Sequence, residues 1–401
     1  MDPSTATVIS VKDIPLLDPP PAWKPLAGRS DGGLPRVVLP SGHTAVHLTR
    51  YADVHRVLKD PTFSRARANT DDGPSFLPTA MPSELLINLD APHHARMRRL
   101  VTAEYGAAAV ERLGPALEEV IEACFAELRS QERPDLYRTV LDRIPAEVNA
   151  RFLGLPAQDL DRVRSWGRTA QLASADDFDT LVEHFTAVYA YVTDLVTGAR
   201  PGVPGGLVER LVAGRDRVEP ALTDAELTGL LLPAVVAGDH NTLSVLAKCV
   251  YAVLCSPGLW QRLVDDPAVA TPLTEELIRL IPLGVASSFP RIATRDVKTA
   301  EAVIHEGDVV YADVFAANRD PEVFPDPETI DPDREGPKHL QFGHGMHHCM
   351  GAALARLEIT TVLVRLAQQF PRLTLDADPR TLPWDHGVLL RRPTALPVRW
   401  G

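Results

Sequence analysis

Apolar and polar positions change period along this chain. In "LPRVVLPSGHTAVHLT", Leu34 to Thr49, short apolar runs flank Ser41-Gly42, which predicts strand, turn, strand. "YADVHRVLKD" then predicts a short helix. From about Pro92 to Val264 apolar residues recur at three- and four-residue intervals, so this stretch should be mostly helical. Its longest segment runs from Thr223 to Cys255. Thr223 and Glu226 form a capping box at its start, and Pro233 is a candidate kink. Ser256 and Pro257 suit the N-cap and first position of the next helix. The long segment is apolar nearly all round, which places it through the middle of the protein. After Pro282 short strands return, in "SSFPRIATRDV", "AVIHEGDVVYADVFAAN" and "GVLLRRPTALPVRW". The expected fold class is mainly α with small β-sheets. Pro-rich stretches are short and lie between periodic segments, so residues 1–401 read as a single domain.

Charge and cysteine usage narrow the function. A formal charge of −12 argues against nonspecific nucleic-acid binding. The first residues carry neither a basic flank nor a bilayer-spanning apolar run, so no membrane association and a cytoplasmic location are expected. The four cysteines, Cys124, Cys249, Cys255 and Cys349, are scattered and do not suggest a disulfide framework.

The chemistry concentrates in "FGHGMHHCMG", Phe342 to Gly351. A zinc site would use His344, His347, His348 and Cys349. Zinc wants four ligands converging as a tetrahedron, which consecutive residues supply poorly, and the chain has no CxxC pair. A buried cysteine among solvated histidines leaves the flanking Gly343, Gly345 and Gly351 unexplained. A single thiolate bound to haem iron accounts for more. Gly345 permits an unusual backbone angle, and Gly351 removes a side chain where a flat ring would approach. A helix starting just after Cys349 offers N–H groups that lower a thiol's pKa.

Phe342, Gly345, Cys349 and Gly351 fill every fixed position of FxxGxxxCxG, and the chain here resembles the cytochrome P450 family. The resemblance extends through "LARLE" after the cysteine, "YADVFAANRDPEVFPDPETIDPDR" before it, and "LDAPHHARMRRLV" near residue 90. It implies the family's mostly helical body, with haem b (iron protoporphyrin IX) held between the long central helix and the Cys349 loop. Phe342, Gly345, Gly351 and Ala237 would border that cofactor. His94, Arg98, Arg291 and His347 occupy the family's propionate-binding positions, with His339 a weaker candidate. Glu276 and Arg279, one turn apart in "TEELIRL", would join Arg334 to lock the cysteine loop. Electrons would come from NAD(P)H through a ferredoxin reductase and a ferredoxin, with O2 as co-substrate and a small organic molecule as substrate. A basic patch on the cysteine side would receive the ferredoxin, and a monomer is expected.

One motif departs from the family. "AGDHNT", Ala237 to Thr242, aligns with (Ala/Gly)-Gly-x-(Asp/Glu)-Thr-(Thr/Ser). Ala237 and Gly238 match and should leave room for oxygen. His240 replaces the acid and Asn241 the alcohol that together help protons reach the reacting oxygen; Thr242 fits the last position. Asp239 is an acid one residue early, about 100° round the helix. Either His240, Asn241 and water rebuild a relay for ordinary hydroxylation, or the enzyme is specialised for C–C or C–N coupling or cyclisation without oxygen insertion. A non-catalytic haem-binding partner protein is a third reading. By family position the pocket takes Phe76–Leu86, Val235–Asn241, Leu283–Ser288 and Gly387–Leu389. Val235, Val236, Val285, Ala286 and Leu389 are its apolar surfaces, and Ser287 and Ser288 its polar points with His240 and Asn241. The helical stretch near Phe178–Tyr191 would roof it.

Overall fold

The computed structural model describes residues 10–17, 24–25, 34–76, 81–171, 178–299, 302–385 and 389–401. The helices are α1 (Tyr51–Lys59), α2 (His93–Thr102), α3 (Ala107–Glu111), α4 (Gly114–Ser130), α5 (Ile144–Leu153), α6 (Leu160–Thr169) and α7 (Phe178–Thr197). They continue with α8 (Leu207–Ala213), α9 (Asp224–Leu254), α10 (Pro257–Asp265), α11 (Ala270–Leu280), α12 (Val314–Ala317) and α13 (Ala352–Gln369). The main sheet uses β1 (Lys24–Pro25), β2 (Arg36–Val38), β3 (Thr44–Leu48), β4 (Phe63–Ser64) and β5 (Arg291–Ala293). Two small ladders are built from β6 (Val297–Lys298) with β7 (Val303–Ile304), and from β9 (Thr374–Leu375) with β10 (Val398–Arg399). Between them in the chain, β8 (Val309–Ala312) completes the main sheet.

The strand–turn–strand signal is β2 and β3, joined where Gly42 takes φ +82° and its N–H donates to Leu39 O at 2.9 Å. The sheet order is β1-β2-β3-β8-β5-β4, antiparallel except for β3 beside β8, with Val46 opposite Val310. This sheet carries Arg291 at the start of β5, facing inward and buried. The stretch "AVIHEGDVVYADVFAAN" splits into β7, β8 and the short α12, because Asp313 caps the helix by accepting from Ala316 N–H.

Helix α9 crosses the molecule and packs against α5, α6 and α7 along one side and α11 and α13 elsewhere. Its capping box is complete: Glu226 N–H donates to Thr223 Oγ1 at 3.2 Å, and Thr223 N–H donates to Glu226 Oε2 at 2.9 Å. The helix runs unbroken through Pro233. Its composition alone would let it cross a bilayer, but here it is a core helix with buried residues on every face. Ser256 stands at the N-cap of α10 without capping it; its hydroxyl turns back to donate to Ala252 O at 2.7 Å.

Candidate active site

The cysteine loop is shaped by its glycines. Gly343 and Gly345 adopt φ +71° and +72°, the left-handed region that a Cβ disfavours. A Cβ on Gly345 would lie 2.8 Å from Lys59 Cα and 2.9 Å from Leu58 O, so this glycine lets the loop seat on the end of α1. Its lack of a side chain thus serves the packing of the loop on α1. Gly351 is different, since a Cβ there would meet nothing within 4 Å. Phe342 O accepts from Cys349 N–H at 2.8 Å, closing the loop. The Cys349 side chain is accessible although the residue lies deep among protein atoms, as expected of a group that lines an internal cleft. Burial pushes its thiol up; N–H groups of Gly351 and Ala352, with Arg98 and Arg356, pull it down without prevailing. The expected net lowering by the helix end is therefore not seen in the protein alone.

Behind the loop stands a buried lock. Glu276 Oε2 accepts from Arg279 Nε at 2.7 Å, and Oε1 accepts from Arg279 at 2.7 Å, Arg334 Nε at 2.8 Å and Asp331 N–H at 3.1 Å. Arg279 also donates to Asn318 O and Pro327 O, at 2.7 and 2.8 Å. Two chain segments before Cys349 are thereby tied to α11. His339 joins this side: its ring lies 3.3 Å from Glu275, so it is not placed with the propionate candidates.

A second cluster is cationic. His94 and His347 meet edge to face at 4.6 Å, and both nitrogens of His94 and Nε2 of His347 are buried without a hydrogen-bond partner. Arg291 is buried and makes only long bonds, to Val57 O at 3.3 Å and Phe63 O at 3.4 Å. Arg98 is half-buried and has no polar partner among the described residues. Burial pulls His94 down to about 4, with Arg98 pushing the same way. Burial, then Arg291, His94, Arg65 and Arg98, pull His347 to about 2. The two histidines are thus held neutral beside buried arginine charge, which Asp90 offsets only in part. Arg65, which sequence reasoning missed, adds a fifth: it is buried, bonded to Asn88 Oδ1 at 3.1 Å and to the carbonyls of Ile87 and Pro290. Nothing in "FSRARA" distinguishes it from a surface arginine. Arg96 is ion-paired with Glu226 and so ties α2 to the start of α9.

On α9 the predicted residues divide between faces. Gly238 abuts α5: a Cβ there would sit 2.4 Å from Asn149 Oδ1, so its smallness makes room for Asn149. Asp239 is buried and accepts from Arg164 Nε on α6 at 3.0 Å, while Arg164 also pairs with Asp142 at 2.7 Å. His240 is 1% exposed, with Nε2 against Arg164 O at 2.9 Å and its ring in space left by Gly167. Burial lowers its pKa, which makes it a poor proton reservoir. Thr242 donates to Gly238 O at 3.0 Å within the helix. Val235 is buried with Ala146, Asn149 and Val163 around a small cavity between α5, α6 and α9. What remains is the face of Ala237 and Asn241, one turn apart and half-buried. The Asn241 amide makes no hydrogen bond to the described residues.

The pocket walls are also rearranged relative to expectation. Ser287 Oγ lies 2.7 Å from Tyr311 OH and 3.1 Å from Asp313 Oδ1, and Ser288 Oγ donates to Ala312 O at 2.6 Å. Both serine hydroxyls are thus engaged by the sheet and Asp313. Phe76 packs on Tyr311 at 5.2 Å, also in the sheet side of the core, with Ala286 beside it. Val236, Val285 and Leu389 are half-buried, and Val285 N–H donates to Leu389 O at 2.9 Å. Residues 77–80 and Gly387 of the expected lining lie outside the described residues. Among the described residues no three His, Cys, Asp or Glu side chains converge as a metal site, which leaves the zinc reading without support.

A cytochrome P450 family model matches residues 270–397. Nocardicin C N-oxygenase of Nocardia uniformis subsp. tsuyamanensis is 36% identical over 386 residues, 96% of either chain. Mycinamicin IV hydroxylase/epoxidase of Micromonospora griseorubida is 37% identical over 366 residues, covering 91% of this chain and 92% of the relative. A solved structure of cytochrome P450mel 107F1 with biaryl coupling reactivity superposes with TM-score 0.85 at 31% identity, covering 89% of this chain and 91% of that one. The chain belongs to the cytochrome P450 family. This P450 is therefore a haem-thiolate oxidoreductase, and its residues fit the cofactor. An accessible sulfur, an open approach at Gly351, and buried arginines beside histidines that lack partners among the described residues suit an iron porphyrin with two propionates.

The P450 holds one more feature that sequence reasoning left without a role. Glu358 on α13 is 0% exposed, and neither oxygen has a partner among the described residues. Its only signal was an acid on the inner face of an apolar helix. Burial pushes its pKa far up, and the nearby charge of Asp239 adds to this, so it is a neutral acid. A folded pKa above the unfolded one gives stability that is present at low pH and lost as pH rises. Glu358→Gln should match the parent near pH ~4 and exceed its melting temperature increasingly towards pH ~8. Thermal melts across that range check this; a pH-independent difference would contradict it.

Proposed function

We propose that this P450 oxidises a mid-sized, partly polar organic molecule in bacterial natural-product tailoring, by oxygen insertion, with Asn241 as the polar group facing the reaction. The carrying observation is the division of the α9 face: Asp239, His240 and Thr242 are committed to α6 or to the helix itself, and Asn241 is not. Bound haem supplies the oxygen-activating, one-electron chemistry. Asn241 can orient a water by donating and accepting hydrogen bonds, but an amide does not give up a proton at neutral pH. The relay thus consists of ordered water held at Asn241, with Ala237 leaving space beside it. The relatives' names, N-oxygenase and hydroxylase/epoxidase, support oxygen insertion during tailoring. An acidic electron donor, a ferredoxin fed from NAD(P)H by its reductase, belongs to the same proposal. A cytoplasmic monomer is part of the same proposal.

Oxidative coupling is the second reading, favoured by the likeness to a P450 with biaryl coupling reactivity and by the missing acid–alcohol pair. A substrate found by the shift of the haem band, turned over under isotopically labelled O2, separates the two. Label in the main product is the expected result; an unlabelled product with a new C–C or C–N bond would transfer the assignment to coupling. Asn241→Thr should lower peroxide release per NAD(P)H several-fold. Unchanged uncoupling would remove Asn241 from the relay.

A further inference from the structure

Lys248 lies in the second half of α9 and is 1% exposed, yet no carboxylate pairs with it among the described residues. Its ammonium donates to Pro282 O and to Leu283 O, the latter at 3.0 Å. Ser244, one turn earlier on the same face, donates to that same Leu283 O at 3.1 Å. Burial pulls the ammonium down to about 7, with Arg391 and Arg392 pushing the same way. Both protonation states keep at least two N–H donors for the two carbonyls, so the tether survives titration.

Leu283 opens the half-buried wall segment that ends at Ser287 and Ser288, whose hydroxyls are pinned to β8 and Asp313. Between these anchors, a Cβ on Gly284 would lie 2.4 Å from Leu389 O, and Val285 N–H donates to that oxygen at 2.9 Å. Leu389 N–H in turn donates to Gln171 O at 2.8 Å, just beyond α6. Gln171 is held by Arg392, donating to Oε1 at 3.3 Å, and its own amide donates to Gly167 O at 3.2 Å. One ladder of bonds therefore runs from α9 through both wall segments to the end of α6.

We propose that Lys248 is a specificity-determining positioning residue, fixing the distance between the reacting face at Ala237 and Asn241 and the wall from Leu283 to Leu389. Lys248 stands about 10 Å along the helix axis from Asn241, out of contact with substrate but rigidly joined to it. A residue that merely filled the core would be apolar, and would not share its acceptor with Ser244. A charge without a counter-ion is retained because two carbonyls of one loop need a long donor.

The proposal rests on the reading that Ala237 and Asn241 border the haem iron. The test uses haem-loaded protein and two iron-binding probes, imidazole and the bulkier phenylimidazole, titrated by the shift of the haem band. Lys248→Met keeps an unbranched chain, one atom shorter, and removes the donors. It should change the phenylimidazole dissociation constant about tenfold, the effect of one lost hydrogen bond to a charged group, and leave imidazole within about twofold. Lys248→Gln, with two N–H donors, should restore most of the parent value. Ser244→Ala should shift phenylimidazole in the same direction by less, which secures the test if Lys248→Met does not fold. Unchanged phenylimidazole binding in all variants overturns the proposal, as does an equal shift for both probes. If the parent protein binds neither probe, the underlying reading of the α9 face fails instead.

Discussion

Glu276→Ala is expected to yield a protein that retains little haem and loses about 3–5 kcal/mol of folding stability. The carboxylate is 5% exposed and Arg279 2%, and it receives two bonds from Arg279, one from Arg334 and one from Asp331 N–H. Removing it strands Arg279 in the interior and releases the segment that leads to Cys349. Burial raises the Glu276 pKa, but Arg279 and Arg334 outweigh that and hold it below the ordinary carboxyl value. A depressed folded pKa gives stability that is present above the unfolded value and lost as pH falls. The gap between parent and variant should therefore be full at neutral pH and shrink below pH ~4.5. Urea melts at several pH values, with haem content measured alongside, check both points. A loss under about 1 kcal/mol at pH ~7 would mean the trio is a surface-like pair of little consequence.

Arg291→Ala should weaken haem retention by about tenfold to a hundredfold, as expected for a buried hydrogen bond to a charged group. Burial has pulled this guanidinium down to about 10, with Asp90 the acid that opposes it. Its two bonds are long and go to neutral carbonyls, so its charge is matched only when an anion joins the cluster. Arg291→Lys keeps the charge but loses the planar fork, and should fall between. Arg65→Ala should cost less, because Arg65 already spends three donors on Ile87, Asn88 and Pro290. The rate of haem transfer to a scavenger protein measures all three; an Arg291→Ala rate equal to the parent's would remove this residue from the propionate site.

Local signals survived into the structure where one stretch of chain decides the outcome. The capping box at Thr223 and Glu226, the turn at Gly42 and the left-handed glycines of the cysteine loop are short-range devices. The Glu276 and Arg279 pair was legible because one helical turn brings it together. The orientation of α9 was not. A helix apolar on every side carries no amphipathic signal to say which neighbour each residue meets. Only the packing of α5 and α6 reveals that Gly238 serves Asn149 and that His240 sits in the space left by Gly167. The bonds of Ser287 and Ser288 were hidden for a related reason: their partners, Tyr311, Asp313 and Ala312, lie more than twenty residues away in the chain. Lys248 and Glu358 looked like ordinary helix charges, and only burial distinguishes them.

The central claim is a bond from the Cys349 sulfur to haem iron. Reduction of the haem-loaded protein under carbon monoxide tests it most directly. The account predicts the strongly red-shifted carbonyl band of thiolate ligation, lost in Cys349→Ser. A parent spectrum at the position of imidazole ligation, or a red-shifted band that survives Cys349→Ser, would contradict it.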